Sequence, residues 1–481
     1  MGYENRDELA GLQTLLRERD EEIVRLQTLI VALSEQVRAL EARLNMNSRN
    51  SSMPPSSDGY KKPAPKSRRT RTGNKPGKQP GEPGHHLAQR TDPDATQIHR
   101  PSTCASCGSD LSDAEVTATM HRQVFDLPPV ALFCTEHRAE RRRCRCGTET
   151  TGTFPPEATA FTCYGPALRA YVCYLVTRQH LPIARVAELL RDAYGAPVST
   201  GVIVSMVKEG AAMLEDFLAQ VKDLLSVSKV VHADETGLRV EAALAWVHSV
   251  SSTELTLYHL DQRRGNKAMD AMDVLAHLSG VLVHDGWMPY RKYDNVTHAL
   301  CNAHHVRELA AVAETDGQGW ASDMATLLGA TWARVLQAKE HGANTLGDAT
   351  LLEIRAKYQD IIAVGHQVNP PAVSTGRRGR PKRSKAANLL LRLDHYTDDV
   401  LRFASDFSVP FDNNLAERDI RMVKIAQKIS GGFRSTEGAK AFLALRSYLS
   451  TATKQGVNLF DALQQLYNQN PWMPTVPGTG P

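Results

Sequence analysis

Between Leu9 and Leu44 apolar residues return every three or four positions. Leu9, Leu12, Leu16, Ile23, Leu26, Ile30, Leu33, Val37, Leu40 and Leu44 alternate as a and d of a seven-residue repeat that only Arg19 interrupts. The pattern predicts one long helix. With Ile23, Ile30 and Val37 at a, opposite Leu26, Leu33 and Leu40 at d, the side chains favour two parallel strands of coiled coil, so residues 1–46 read as a dimerisation helix. An amphipathic helix laid on its own domain is the other reading of the same stripe. The periodicity then stops. Residues 47–100 are rich in Ser, Pro, Gly and basic residues, with too few apolar groups to offset the entropy of ordering, and read as a disordered basic linker.

Farther on the period changes twice. Within 101–155, VTATMHRQVFDL and ALFCTEHRAERRRC read as two strands between pairs of cysteines. Residues 156–228 read as helical: LPIARVAELLRDAYG, a turn at Gly195, an N-cap at Ser199 or Thr200, then a second helix. That pattern fits a DNA-reading helix-turn-helix or a helical packing hairpin. From 229 the spacing becomes that of strands. KVVHADETGLRV, AALAWVHSVSS and ELTLYHLDQ predict three strands, NKAMDAMDVLAHL a helix and GVLVHDGWMPY a fourth strand, the opening order of a ribonuclease-H-like sheet. We assign its first part to 229–314, a helical insertion with a basic loop to 315–408, completion of the core to 409–470 and a mobile tail to 471–481. The expected class is multidomain α+β: a coiled coil, a small zinc-ribbon-like module, a helix-turn-helix-like domain and a ribonuclease-H-like core with a helical insertion.

Charge adds partners to this picture. The net charge is only +4, yet residues 61–78 hold eight basic residues and no acid, among them Lys61, Lys62, Arg68, Arg69 and Arg71. Such a segment gains affinity for a polyanion by releasing condensed counterions; a solvated spacer is the alternative. The stretch GRRGRPKRSK supplies Arg378, Arg380 and Lys382 in an extended loop suited to phosphates or to a narrow A·T-rich minor groove. No apolar run approaches the ~18 residues of a membrane helix, and the N-terminus lacks a secretory layout. The expected place is the bacterial cytoplasm, at the nucleoid, with no membrane partner.

Eight cysteines are too few for a disulfide scaffold in so long a chain. Cys104 with Cys107, and Cys144 with Cys146, form two tight pairs each followed by Gly, able to give four thiolates to a structural Zn2+, with Cys134 and His137 as substitutes. Cys163, Cys173 and Cys301 are isolated and expected to be buried and unliganded.

The carboxylates carry the sharper chemistry. Asp234 and Asp285 each follow an apolar strand run; side by side at neighbouring strand ends, they can share divalent cations. A third acid, Glu417, falls in the first turn of a helix that Asn413 or Asn414 is placed to cap. Glu417, Arg421, Lys424 and Lys428 recur at helical spacing on one face, a metal ligand followed by cations for phosphates, with Arg418 beside them and Arg434 beyond. The 132 residues separating Asp285 from Glu417 far exceed the about 30 of a βαβ unit and require an insertion.

The order of heptad helix, NSSMPPSSD with a Gly/Pro/Lys linker, cysteine module, HADETGLRV, HDGWMPY, CNAHHVREL and PFDNNLAERDIR resembles the insertion sequence 66 family of DDE transposases over nearly the whole chain. The resemblance implies an Asp/Asp/Glu triad at Asp234, Asp285 and Glu417, two Mg2+ ions with Mn2+ as a substitute, and cutting and rejoining of DNA at an element's terminal inverted repeats. It also matches Cys301, His304 and Arg307 to the family's Cys-His-Arg signature, auxiliary to the triad. The expected partners are terminal-repeat and target DNA, a second copy or higher oligomer through the coiled coil, and accessory proteins of the same element. Two other classes compete: a structure-selective nuclease of the same fold, and a non-enzymatic dimeric DNA-binding regulator.

Overall fold

Residues 4–44, 87–127, 130–371 and 383–475 are described by a computed structural model, with fourteen α-helices and two sheets among them. Lys61, Lys62, Arg68, Arg69 and Arg71 of the linker, and Arg378, Arg380 and Lys382 of the second basic stretch, lie outside the described residues. The heptad stretch forms one helix, α1 (Glu4–Leu44). Among the described residues its stripe lies open: Leu16, Ile23, Leu26, Ile30, Leu33, Val37 and Leu40 are each at least half exposed.

The cysteine segment holds one antiparallel hairpin, β1 (Arg141–Arg143) with β2 (Glu149–Thr151). The two longer strands expected upstream do not form among the described residues. Their alternating apolar side chains, Val116, Met120, Val124 and Phe133, stay exposed, and a strand without a surface to pack on has little to hold it. Four helices follow: α2 (Pro166–Thr177), α3 (Ile183–Tyr194), α4 (Thr200–Ala212) and α5 (Glu215–Ser226). The turn chemistry is as expected. Gly195 closes α3 at φ 61°, and the Ser199 hydroxyl accepts the Val202 N–H at 3.3 Å to open α4.

The central sheet is built from β3 (Val230–Val240), β4 (Ala243–Ser251), β5 (Thr256–Asp261), β6 (Val281–His284) and β7 (Thr297–Leu300) in the order β5-β4-β3-β6-β7. The first three form an antiparallel meander, and β6 and β7 run parallel to β3. Two details differ from the sequence pattern. The helix between β5 and β6, α6 (Asn266–Met272), stops early because Asp273 adopts the left-handed conformation at φ 59°. A fifth strand, β7, has only four residues, too few for alternation to announce it.

After β7 comes a helical body that begins at Asn302, ahead of the residue 315 at which an insertion was expected. It comprises α7 (Asn302–Asp316), α8 (Gly319–Glu340), α9 (Asp348–Val368), α10 (Lys385–His395) and α11 (Thr397–Ser405), packed around their own core of Trp320, Met324, Tyr358, Leu390 and Phe403. The chain closes with α12 (Asn414–Ser430), α13 (Thr436–Lys454) and α14 (Leu459–Tyr467). Period-two alternation sorts the faces of the sheet. Val231, Ala233, Val250, Leu257 and Leu282 join the core containing α5 and α14, while Leu238, Val240, Ala245, Val247 and Leu260 join the core beneath α12. No helix among the described residues is long and apolar enough to cross a membrane.

A buried polar knot ties α12 to the meander. The Asp419 carboxylate accepts from Ser251 Oγ at 2.7 Å, Thr256 Oγ1 at 3.2 Å and Lys454 Nζ at 2.8 Å. Lys454 also donates to the carbonyls of Ser252 and Leu255, both at 2.9 Å. Every charged group in the knot is therefore partnered, and removing one partner leaves the other charge buried alone. Asp419→Ala is expected to destabilise the protein by roughly 3–5 kcal/mol, read as a lower midpoint of urea unfolding; an unchanged midpoint would contradict the knot's structural role.

Candidate active site

Strand register brings the first two acids together. β6 pairs with β3 at Val230↔Val281, Val231↔Leu282 and His232↔Val283; carried two residues on, the same offset sets Asp234 level with Asp285. Asp234 is not at the end of its strand, as the sequence suggested, because β3 continues to Val240 along β4. What ends there is its ladder with β6. Alternation places Asp234 on the α12 side of the sheet, with His232 and Leu238. Asp285 is fixed by its own turn: its Oδ1 accepts the Trp287 N–H at 2.8 Å across Gly286, whose φ of 91° suits glycine alone.

Glu417 arrives on the first turn of α12, and Asn413 holds that helix in place. Asn413 occupies the N-cap position, but its side chain does not cap. Its Nδ2 donates to the Ala233 carbonyl at 2.9 Å, its Oδ1 meets His232 Nδ1 at 2.8 Å, and its backbone N–H donates to Cys301 Sγ at 3.2 Å. Asn414 does not cap either; its side chain and N–H both turn to the Asp412 carboxylate. Glu417 Oε1 lies 3.7 Å from His304 Nδ1 and 3.8 Å from the Arg307 guanidinium. Both Glu417 Oε1 and His304 Nδ1 are buried without a hydrogen-bond partner among the described residues.

The electrostatics are set by buried acids that feel one another. Burial, then the charges of Glu235 and Asp285 and more weakly Glu417, push the Asp234 carboxyl well above the ordinary carboxylate range. Burial and Arg307 lower the His304 imidazole, against the pull of Glu417 and Asp285. Desolvated carboxylates suit hard cations that take oxygen ligands, although Asp234, Asp285 and Glu417 are not gathered within 4.8 Å of one another among the described residues. Cys301, His304 and Glu417 do bring S, N and O atoms within 4.8 Å of one another. Burial pushes the Cys301 thiol up to about 12, and its sulfur already accepts the Asn413 N–H, so it acts here as a packing and hydrogen-bonding group.

Other candidate residues divide. Arg418, Arg421 and Arg434 are exposed, free to meet a phosphate. Lys424 turns inward and donates to the Gly237 carbonyl, since helical spacing fixes its face but not what lies over it. The sequence reading missed Glu235, which points to the opposite face from Asp234, accepts from Tyr290 Oη at 2.6 Å and pairs with Arg264 at 2.6 Å. The Arg264 guanidinium in turn stacks on Trp246 and Trp287, 4.9 and 4.3 Å from the ring centres. The adjacent acids of HADET were the available signal; which of them faced the site depended on the unseen face of the sheet.

The cysteine pairs lie on matching turns. Gly108 N–H donates to the Cys104 carbonyl and Gly147 N–H to that of Cys144, both at 2.9 Å, with φ of 72° and 88° at the glycines. The Ser109 hydroxyl and backbone, with Cys104, bring the Cys107 thiol down to about 7; Thr148 and Cys144 do the same for Cys146. Thiols so poised suit a metal, although the four sulfurs are not gathered into one cluster among the described residues. Cys134 is exposed, Cys173 and Cys301 are buried, and Cys163 is exposed rather than buried as expected, in a stretch whose other apolar side chains, Phe154 and Phe161, are exposed as well.

Three family profiles match the chain: "Transposase IS66 family" over residues 162–441, "zinc-finger binding domain of transposase IS66" over 101–147, and a family of unknown function over 6–88. The second supports structural zinc. The chain is 22% identical over 401 residues to the uncharacterized protein y4jD of Sinorhizobium fredii (strain NBRC 101917 / NGR234), covering 76% of this chain and 74% of that one. A solved simian T-cell lymphotropic virus intasome, in complex with PP2A regulatory subunit B56 gamma, is 11% identical with a TM-score of 0.15, over 46% of this chain and 74% of that one. That likeness is too slight to bear on the fold.

Two outcomes follow from this geometry. Asp234 holds its proton more tightly folded than unfolded, so the metal-free protein should lose stability as pH rises from the ordinary carboxylate range through the raised one. Asp234→Asn should flatten that loss, and saturating Mg2+ should raise the Tm of the parent near neutral pH but hardly that of the variant. Coincident pH–Tm curves for the two would reject the crowding. Asn413→Ala, which strands the Ala233 carbonyl and His232, should cost roughly 2–5 kcal/mol, measured by chemical unfolding.

Proposed function

Because this chain belongs to the insertion sequence 66 family of transposases, we propose that it cuts DNA at the terminal inverted repeats of its element and joins the freed 3′ ends to target DNA. The family and zinc-finger matches imply DNA binding. The observation that carries the finer reading is the convergence at Asp234, set level with Asp285 by the β3–β6 register, its carboxyl raised first by burial and Glu235 and then by Asp285 and Glu417, acids 51 and 183 residues away. We read the sheet order, a three-stranded meander extended by two parallel strands, as a ribonuclease-H-like core.

In this reading Asp234 and Asp285 would hold two Mg2+ ions, with Glu417 completing the set. When bound, such ions activate water and neutralise charge on the leaving oxygen. His304 and Arg307 orient Glu417 from behind, and Asn413 fixes the distance between the helix bearing Glu417 and the strand bearing Asp234. Water attacks the phosphodiester, giving a 5′ phosphate and a 3′ hydroxyl; that hydroxyl then attacks a target phosphodiester, forming the new link as the target's own 3′ oxygen leaves. No side chain becomes covalently attached, so none serves as nucleophile. The exposed stripe of α1 pairs with that of a second copy, and Cys104, Cys107, Cys144 and Cys146 hold a structural Zn2+ that fastens the segment ahead of the core.

The test uses the full chain, Mg2+ and duplexes ending in the inverted repeats that flank its coding region. Nicked and joined products are expected, and Asp234→Asn, Asp285→Asn and Glu417→Gln should each lower both by roughly a hundredfold or more. His304→Ala should cost roughly 10–100-fold, as an outer partner of a metal ligand does. Cutting without joining would indicate a nuclease, and binding without cutting, with or without Mg2+, a regulator.

A further inference from the structure

Glu417 keeps closer company than the two aspartates. One ligand atom each from Cys301, His304 and Glu417 lies within 4.8 Å of the others, and among the described residues no other set of three His, Cys, Asp or Glu side chains does this. Within the group His304 Nδ1 and Glu417 Oε1 stand 3.7 Å apart, beyond hydrogen-bond reach, and both atoms are buried without a partner among the described residues. Buried polar atoms left so call for an occupant between them. A bridging water with arms of about 2.8 Å spreads its two partners to roughly 4.4 Å, whereas nitrogen and oxygen ligands of a tetrahedral zinc ion stand about 3.3–3.5 Å apart. The observed gap is nearer the second.

The chain builds this group from both ends of the inserted body. Cys301 is the residue before α7, and His304 lies in the first turn of that helix, three positions on and therefore on the same side. Glu417 comes in on α12, whose entry is already fastened to the same sulfur, the Asn413 N–H donating to Cys301 Sγ at 3.2 Å. In the metal-free chain that sulfur packs and accepts. It keeps a lone pair for a metal, and an N–H partner of this kind steadies a bound thiolate. Softness then selects the ion. A sulfur, an imidazole and a carboxylate suit Zn2+ and not Mg2+, which takes oxygen ligands. Thiolate and carboxylate together cancel the charge of Zn2+, so the Arg307 guanidinium, 3.8 Å from Glu417 Oε1, would face a neutral centre.

We propose that Cys301, His304 and Glu417 form an inhibitory metal site that takes Zn2+, separate from the Asp234–Asp285 pair. Binding releases the thiol proton to solvent. The fourth tetrahedral position stays with water, which the partly exposed edges of His304 and Glu417 admit. Asp234 and Asp285 stand outside the group. Zinc at this site therefore holds Glu417 on the α7 side and withdraws it from the aspartates, so the zinc-loaded chain binds DNA and does not cut it. The inhibitory role rests on the transposase reading above; the site itself rests on the geometry of the three side chains.

The experiment counts zinc on the full chain. Metal-stripped parent, Cys301→Ser and His304→Ala are dialysed against Zn2+, and the bound metal is measured. The parent should hold one equivalent more than either variant, whatever the cysteine turns of 101–155 contribute, since those are intact in all three. Equal counts, or a loss in only one of two folded variants, would overturn the site. Thermal melts without metal identify a variant that has lost its fold, and Glu417→Gln then replaces it. Cutting of terminal-repeat duplex in Mg2+ supplies the second readout. Added Zn2+ should stop the parent, and dialysis should restore it. Cys301→Ser, measured against its own rate without added zinc, should need roughly tenfold or more Zn2+ for the same loss. Equal zinc sensitivity of parent and Cys301→Ser overturns the inhibitory role. A parent that cuts nothing in Mg2+ rejects the transposase reading, and the zinc count still decides the site.

Discussion

One buried amide holds the candidate site together. Asn413 is 1% exposed, and through its side chain and its N–H it reaches β3 on either side of the β3–β6 ladder's end and the residue that opens α7. Those contacts join segments separated by 112 to 181 residues. The position of Glu417 relative to Asp234 is therefore set by hydrogen bonds one helical turn away from the acid itself. A carboxylate cluster left to its own repulsion would spread; here it is kept crowded by neutral polar groups that gain nothing from spreading.

Helix α12 shows how much one element can carry. Glu417 looks toward the acids of β3 and β6, Asp419 is knotted to Lys454 beneath, Lys424 reaches inward to Gly237, and Arg418, Arg421 and Lys428 remain at the surface. Fixing the buried charges fully leaves the rest of the face free for an outside anion. Rigidity on one side of the helix and availability on the other are two results of the same spacing.

Much of this was legible from the chain alone. Asp234 and Asp285 stood out because each follows an apolar run, and parallel pairing then made them level. Glu417 stood out through the helix pattern around it, and the length between Asp285 and Glu417 demanded an inserted body. The function of Asn413 was not legible: locally an Asn before a helix is a cap, and its true acceptor lies 180 residues upstream. Glu235, Lys424 and Asp419 were hidden for the same reason, since spacing tells which residues share a face and not what covers it. The cysteine segment was legible as two cysteine-bearing turns within a zinc-finger profile, but its longer strands were overcalled, because alternation says nothing when no neighbouring surface exists to reward it.

The inserted helices deserve a last consideration through their stem. Entry and exit are stitched to each other: the Asn302 N–H donates to the Phe411 carbonyl at 2.9 Å, the Asn302 side chain to the Val400 carbonyl at 2.8 Å, and Cys301 receives the Asn413 N–H. The described helices between Cys301 and Phe411 thus share a closed clasp and most of a core, and α11 is tied to the sheet besides, Arg402 donating to the His298 carbonyl at 2.7 Å and Asp399 pairing with Arg291 at 2.5 Å. Growth or shrinkage of α8 and α9, which make none of these contacts, leaves the clasp where it is. The interval between the second and third acids is consequently free to drift in length across descendants, and recognition by a fixed gap would miss them where the clasp residues would not.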